Sequence, residues 1–149
     1  MSLLKNRHIP LKIRGSVYEY CVRSVMLYGA QTWQMTEEIE DIVKRCDRRM
    51  FRYMAGVRWI DMVPSKEVAK RCGLTEIKER TRQRRLQWFG HVRREKEGGG
   101  LKMVEEMSVQ GVMPAGRPRR TWRDTAEVDM KSLGIGEELA MDRAGWRRV

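Results

Sequence analysis

Apolar residues in this chain recur at helical spacing, and the apolar segments are bounded by capping and glycine stop signals. No useful stretch alternates with a period of two. Together these predict an all-α fold. With 149 residues, the chain is long enough for one domain of ordinary size. Hydrophobic residues make up 41%, which supports a core of modest size.

The first helix is expected over residues 11–28. Ile13, Val17, Tyr20/Cys21, Ser24/Val25 and Tyr28 recur on one face. Pro10 precedes it, and Gly29 is a plausible stop. The next helix starts at Thr36, a good N-cap, with Glu37 and Glu38 complementing the helix dipole in the first turn. Ile39, Ile42/Val43, Cys46, Met50 and Tyr53/Met54 continue its stripe, and Gly56 ends it. Residues 29–35 therefore connect two antiparallel helices, with Tyr28 and Trp33 flanking the turn as core-sealing aromatics.

A short helix is expected over residues 65–72, with Ser65 as N-cap after Pro64 and Gly73 as stop. A longer one, among the longest in the chain, follows over residues 75–94. Ile77, Thr81, Trp88 and Val92 share one face, widened by Leu86 and Phe89. The opposite arc holds Arg80, Gln83, Arg84, Gln87, His91 and Arg94, so the helix has a buried face and a basic face, with Trp88 buried. "EKEGGG" (95–100) is a flexible break, which divides the chain into residues 1–95 and 96–149. "LKMVEEM" may be helical, and "GVMPAGRPRR" (111–120) cannot be regular throughout. Trp122, Ala126, Met130 and Leu133 mark another helix stopped by Gly134, and a short helical tail containing Trp146 ends the chain.

Charge is the strongest global clue. There are 31 Lys and Arg against 20 Asp and Glu, a net charge of +11. Such a balance favours a polyanionic partner, and arginine forks match phosphates bidentately. No apolar run approaches the roughly 18 residues a membrane span needs. The N-terminal stretch lacks the apolar segment of a secretory signal. Three scattered cysteines, Cys21, Cys46 and Cys72, suggest free thiols in an intracellular, nuclear or cytoplasmic setting, with no disulfide-linked partner. Cys21 and Cys46 fall on apolar faces, as inert buried thiols do.

No catalytic constellation emerges. The acids come as neighbours (Glu37–Glu38, Glu40–Asp41, Glu105–Glu106, Glu137–Glu138), and adjacent helical residues diverge by about 100°, so none forms a ready clamp for two metals. No Cys/His cluster suggests zinc. "GIGEEL" (134–139) follows no strand and is not a phosphate loop. In "AGRPRRTW" (115–122), Gly116, Arg117 and Pro118 could lie in an A·T minor groove, although Ala115 stands where such a hook carries Arg. The alternative is a loop that docks on phosphates without reading bases.

In order, "RSVMLYGAQTW" (23–33), "RRLQWFGHVRR" (84–94), "GRPRRTW" (116–122) and "DRAGWRR" (142–148) resemble the C-terminal part of the reverse transcriptase of LINE-type, non-long-terminal-repeat retrotransposons. The likeness runs from about residue 10 to the end. It departs at Gln31, where an acid is common, and at Glu95, where Met is common. The resemblance implies a thumb-like helical bundle over residues 1–95, then a basic loop and short C-terminal helices over 96–149. In that family the thumb helps hold the template–primer duplex. No Ala-Asp-Asp-like sequence is present, so the polymerase carboxylates match no position here, and the Mg²⁺ of the parent RNA-directed DNA polymerase has no ligands to transfer.

The expectation is thus a non-catalytic nucleic-acid-binding fragment of such an element, with no cofactor of its own. Its expected partner is an RNA, DNA or RNA–DNA hybrid backbone. Expected phosphate contacts are Arg80, Arg84, Arg94, Arg117, Arg119, Arg120 and Arg123. Tyr28, Trp33, Trp88, Phe89, Trp122 and Trp146 are expected to be structural. The alternatives are a helical protein-interaction module and an element remnant that does not bind nucleic acid.

Overall fold

Helix boundaries in the computed structural model, which describes residues 3–107, 116 and 120–148, fall close to the local start and stop signals. The chain is predominantly helical, and no strand occurs among the described residues. Helix α1 covers Leu11–Val17, and a widened π-helical turn, Tyr18–Arg23, leads into α2, Ser24–Met26. Helix α3 is Glu37–Ala55, α4 is Ser65–Cys72 and α5 is Ile77–Arg93. Helices α6 (Gly100–Glu106), α7 (Trp122–Leu133) and α8 (Arg143–Trp146) follow, with a 3-10 turn at Glu137–Met141.

The caps explain the boundaries. Thr36 accepts a hydrogen bond from the Ile39 N–H at 3.3 Å, and three acids occupy the first turn of α3. At the start of α7, the Thr121 hydroxyl accepts from the Asp124 N–H, and Asp124 accepts from the Thr121 N–H at 2.7 Å. Gly56, Gly73 and Gly134 end their helices in the left-handed region, with φ near +70°. The cap of α4 is Pro64, one residue earlier than expected.

Two compact units emerge: Met1–Ala30 with Met35–Thr81, and Gln31–Gln34 with Arg82–Val149. The division falls inside α5 rather than at the glycine run of residues 98–100.

The first unit packs Tyr18, Phe51, Met54, Val68, Cys72 and Leu74 together. Gly15 lets α1 approach the end of α4 closely, because a Cβ there would lie 1.9 Å from the Cys72 carbonyl oxygen. A buried polar cluster completes this core. Arg23, 1% exposed, donates from Nε and Nη2 to the two oxygens of Asp47, both at 2.8 Å. Its Nη1 donates to Glu19 at 2.7 Å and to the Thr75 carbonyl at 2.9 Å. Tyr18 donates its hydroxyl to Asp47 at 2.8 Å. In a regular α-helix, residues five apart point about 140° away from each other. The i→i+5 bonding of the widened turn brings Tyr18 and Arg23 to one side.

This cluster reverses the expected orientation of the first helix. Gly15, Tyr18, Arg23 and Leu27 are buried, while Ile13, Tyr20, Val25 and Tyr28 are exposed, Tyr28 at 85%. Tyr28 therefore does not seal the core, and Trp33 is half-buried. Cys21 and Cys46 are exposed rather than buried, and only Cys72 is enclosed. Burial pushes the Cys72 thiol up from its ordinary value.

The second unit gathers Leu86, Phe89, Ala126, Met130, Ala140 and Trp146. The Trp146 indole N–H donates to the Leu86 carbonyl at 2.8 Å. Gly90 makes room for that ring, since a Cβ there would lie 2.2 Å from Trp146 Nε1. Phe89 stands 6.1 Å from the Trp122 ring and 6.2 Å from the Trp146 ring, so three of the expected structural aromatics form one stack. Arg85, also buried, donates from Nε to Asp129 at 2.8 Å.

Candidate nucleic-acid interface

The exposed side of α5 within the second unit carries Arg84, Gln87, Trp88 and His91. Spacings of three, four and seven residues place them on one helical face. Trp88 is half-buried, which corrects the expectation of a core tryptophan. The buried stripe of α5 runs through Thr81, Arg85, Phe89 and Val92 instead, and leaves Trp88 at its edge. The Trp88 ring lies against His91, with centroids 5.3 Å apart and planes tilted by 49°.

Trp88 is a wall shared by two hollows. One, of about 310 Å³, is lined by Gln31, Arg84, Gln87, Trp88 and His91. The other, of about 560 Å³, is bounded by Val92, Leu101 and Val104, by both Trp88 and Trp122, and by Thr32, Thr121 and Arg123 at its polar side. Trp122 is held in place because its indole N–H donates to the Gln31 carbonyl at 2.6 Å. Two fixed indoles next to guanidinium groups form a surface on which a base can stack and a phosphate can be held.

The expected arginines divide by environment. Arg84 lines the smaller hollow and Arg123 the larger. Arg123 also lies 3.5 Å from both Glu127 and Glu137. Arg120 is exposed, and its carbonyl accepts from the Gln34 side chain. Arg80 belongs to the first unit and pairs with Glu19 at 2.9 Å. Arg94 donates to the Ala140 carbonyl, a role in holding the fold. Arg117 and Arg119 lie outside the described residues, as does most of the Gly-Arg-Pro stretch.

Periodicity missed Gln31, whose backbone fixes Trp122 from far away in sequence. It also missed the buried arginines, Arg23 and Arg85, because a pattern of apolar residues counts every arginine as surface. Burial alone would depress the pKa of Arg23, but hydrogen bonding and charge from Asp47, aided by Glu19, raise it above its ordinary value. Asp124 is held below the usual carboxylate range, first by the Thr121 N–H and then by its hydroxyl.

Among the described residues, no group of three His, Cys, Asp or Glu side chains is placed to hold a metal ion, and no helix is long and apolar enough to cross a membrane. Comparison of the chain with protein-family models, with curated proteins and with solved structures finds no match.

Proposed function

We propose that this protein binds nucleic acid through the aromatic and basic face of α5, and that it derives from the C-terminal part of a LINE-type reverse transcriptase. The observation that carries the binding reading is Trp88, held beside Arg84 and His91 on an open helix face in a chain of net charge +11. The ancestry rests on the ordered motifs at 23–33, 84–94, 116–122 and 142–148. Arginine supplies phosphate contacts that carry no base information, so sequence preference is expected to be weak. The indoles add stacking, which favours unpaired bases.

Titration of single-stranded and duplex oligonucleotides at several salt concentrations tests the reading. If Arg84, Arg120 and Arg123 each neutralise a phosphate, log K against log salt should have a slope near about −2 on single strands and about −3 on duplex. A slope of zero would remove nucleic-acid binding from the account.

A second reading has its own support. Ile13, Tyr20, Val25 and Tyr28 are exposed, as are Trp59, Ile60 and Met62 in the turn after α3. Such apolar surfaces suit a protein-interaction module. Sedimentation showing self-association without any salt-sensitive oligonucleotide binding would favour it.

A further inference from the structure

The first unit contains a hollow of about 200 Å³ above the Arg23–Asp47 pair, well away in sequence from the residues of the α5 groove. Phe51 and Ile77, both buried, contribute to its apolar lining. Lys44, Arg48, Lys66 and Lys78 line it together with the Ser65 hydroxyl. The other charges in its wall are the mutually neutralised Arg23 and Asp47, and Glu76.

We propose that this hollow is a binding site for a terminal phosphate group, a phosphate monoester or free phosphate. Cations exceed carboxylates in its lining, five to two, so the occupant is an anion. Lys44 and Lys78 are positioned by Glu40, each at 3.3 Å, and Lys66 lies 3.4 Å from Glu76. These are exposed or partly exposed pairs of small energetic worth, which an incoming dianion can exchange. Arg48 is exposed and has no hydrogen-bond or ion-pair partner among the described residues, so its planar fork is available for two phosphate oxygens. The apolar lining reduces competition from water and strengthens each charged contact.

The size decides between kinds of phosphate. A hollow of about 200 Å³ admits one compact anion at a chain end. It does not admit the flank of a duplex, whose phosphates run in continuous rows. The ligand class is therefore a terminal phosphate, whether at the end of a strand or free in solution. This site goes beyond the α5 groove and does not need that groove to function.

The test uses the full chain and two probes. Inorganic phosphate is titrated by calorimetry, and a short oligonucleotide carrying a 5′-phosphate is compared with its 5′-hydroxyl form. Arg48→Gln and Lys66→Gln are the variants, since both side chains are exposed and their loss leaves the core intact. Phosphate should bind the unmodified protein, and each substitution should weaken it by about tenfold, the worth of one charge-assisted contact. The 5′-phosphorylated strand should bind more tightly than the hydroxyl form, and the double variant should erase that difference. If only the free-phosphate arm responds, the ligand is a small phosphate rather than a strand end. Arg84→Gln should leave phosphate binding unchanged, so failure of strand binding at α5 does not mask the result. Absence of phosphate binding to the unmodified protein, or binding that both variants retain, would overturn the site.

Discussion

The guanidinium of Arg23 meets the carboxylate of Asp47 in two bonds of 2.8 Å, and both residues are buried. The pair is further satisfied by Tyr18, Glu19 and the Thr75 carbonyl, so few of its polar atoms lack a partner. Such a pair adds little when complete and is destructive when halved, because the survivor is a buried, uncompensated charge. Asp47→Ala should destabilise the protein by about 3–5 kcal/mol in urea denaturation. Replacing both partners, Arg23→Met with Asp47→Leu, should recover much of that loss. A double variant as unstable as the sum of the single ones would contradict this account.

Tyr18 gives the fold a pH limit. Burial first, and then the charge of Asp47, push its phenol far above the ordinary value near 10. Above that ordinary value the unfolded chain releases the proton and the folded one keeps it. The stabilising contribution is therefore complete below about pH 10 and declines by about 1.4 kcal/mol per pH unit above it. Tyr18→Phe should remove this component, so the stability difference between the two proteins should narrow between pH 9 and pH 11, each pH being a rough choice around the phenol value.

The two neighbours Trp88 and Phe89 should separate stability from binding. Phe89 is 1% exposed, and Phe89→Ala should cost about 3–5 kcal/mol as a large-to-small core change. Trp88 is half-buried, and Trp88→Ala should cost clearly less. It should weaken single-strand binding by about 1–3 kcal/mol if a base stacks there. Denaturation midpoints and binding titrations on the same two variants decide the assignment.

Gly15 predicts a steric effect without any change in polarity. A methyl group there would collide with the Cys72 carbonyl, backbone that cannot swing aside. Gly15→Ala should destabilise by about 1–3 kcal/mol, although alanine favours helix more than glycine does. A rise in melting temperature would show that α1 and α4 are not in such close contact.

Much of the fold was legible because its signals are local. Thr36, Gly56, Gly73, Thr121 and Gly134 act on backbone groups within a few residues, and the helices begin and end beside them. The orientation of the first helix was not legible. Its more apolar face lost to one built from Gly15, Tyr18 and Arg23, which is buried through long-range bonds to Asp47 and Thr75. At the candidate interface, Arg84 and His91 were readable as an exposed basic arc. That Trp88 belongs beside them was hidden, because α5 gives part of its buried stripe to Arg85, whose partner Asp129 lies 44 residues away.

The widened turn at Tyr18–Arg23 has a consequence for any attempt to shorten this segment. Removing one residue from the turn would let the helix close into ordinary α geometry, locally more regular and better bonded. Everything after the deletion would then rotate by about 100°. Arg23 would leave Asp47, and Ile13, Tyr20 and Val25 would no longer keep their present places relative to Leu27. A single-codon deletion here should thus be more damaging than one in the connection before Thr36, even though it repairs the local helix. Residue count in this turn, rather than residue identity alone, carries structural information.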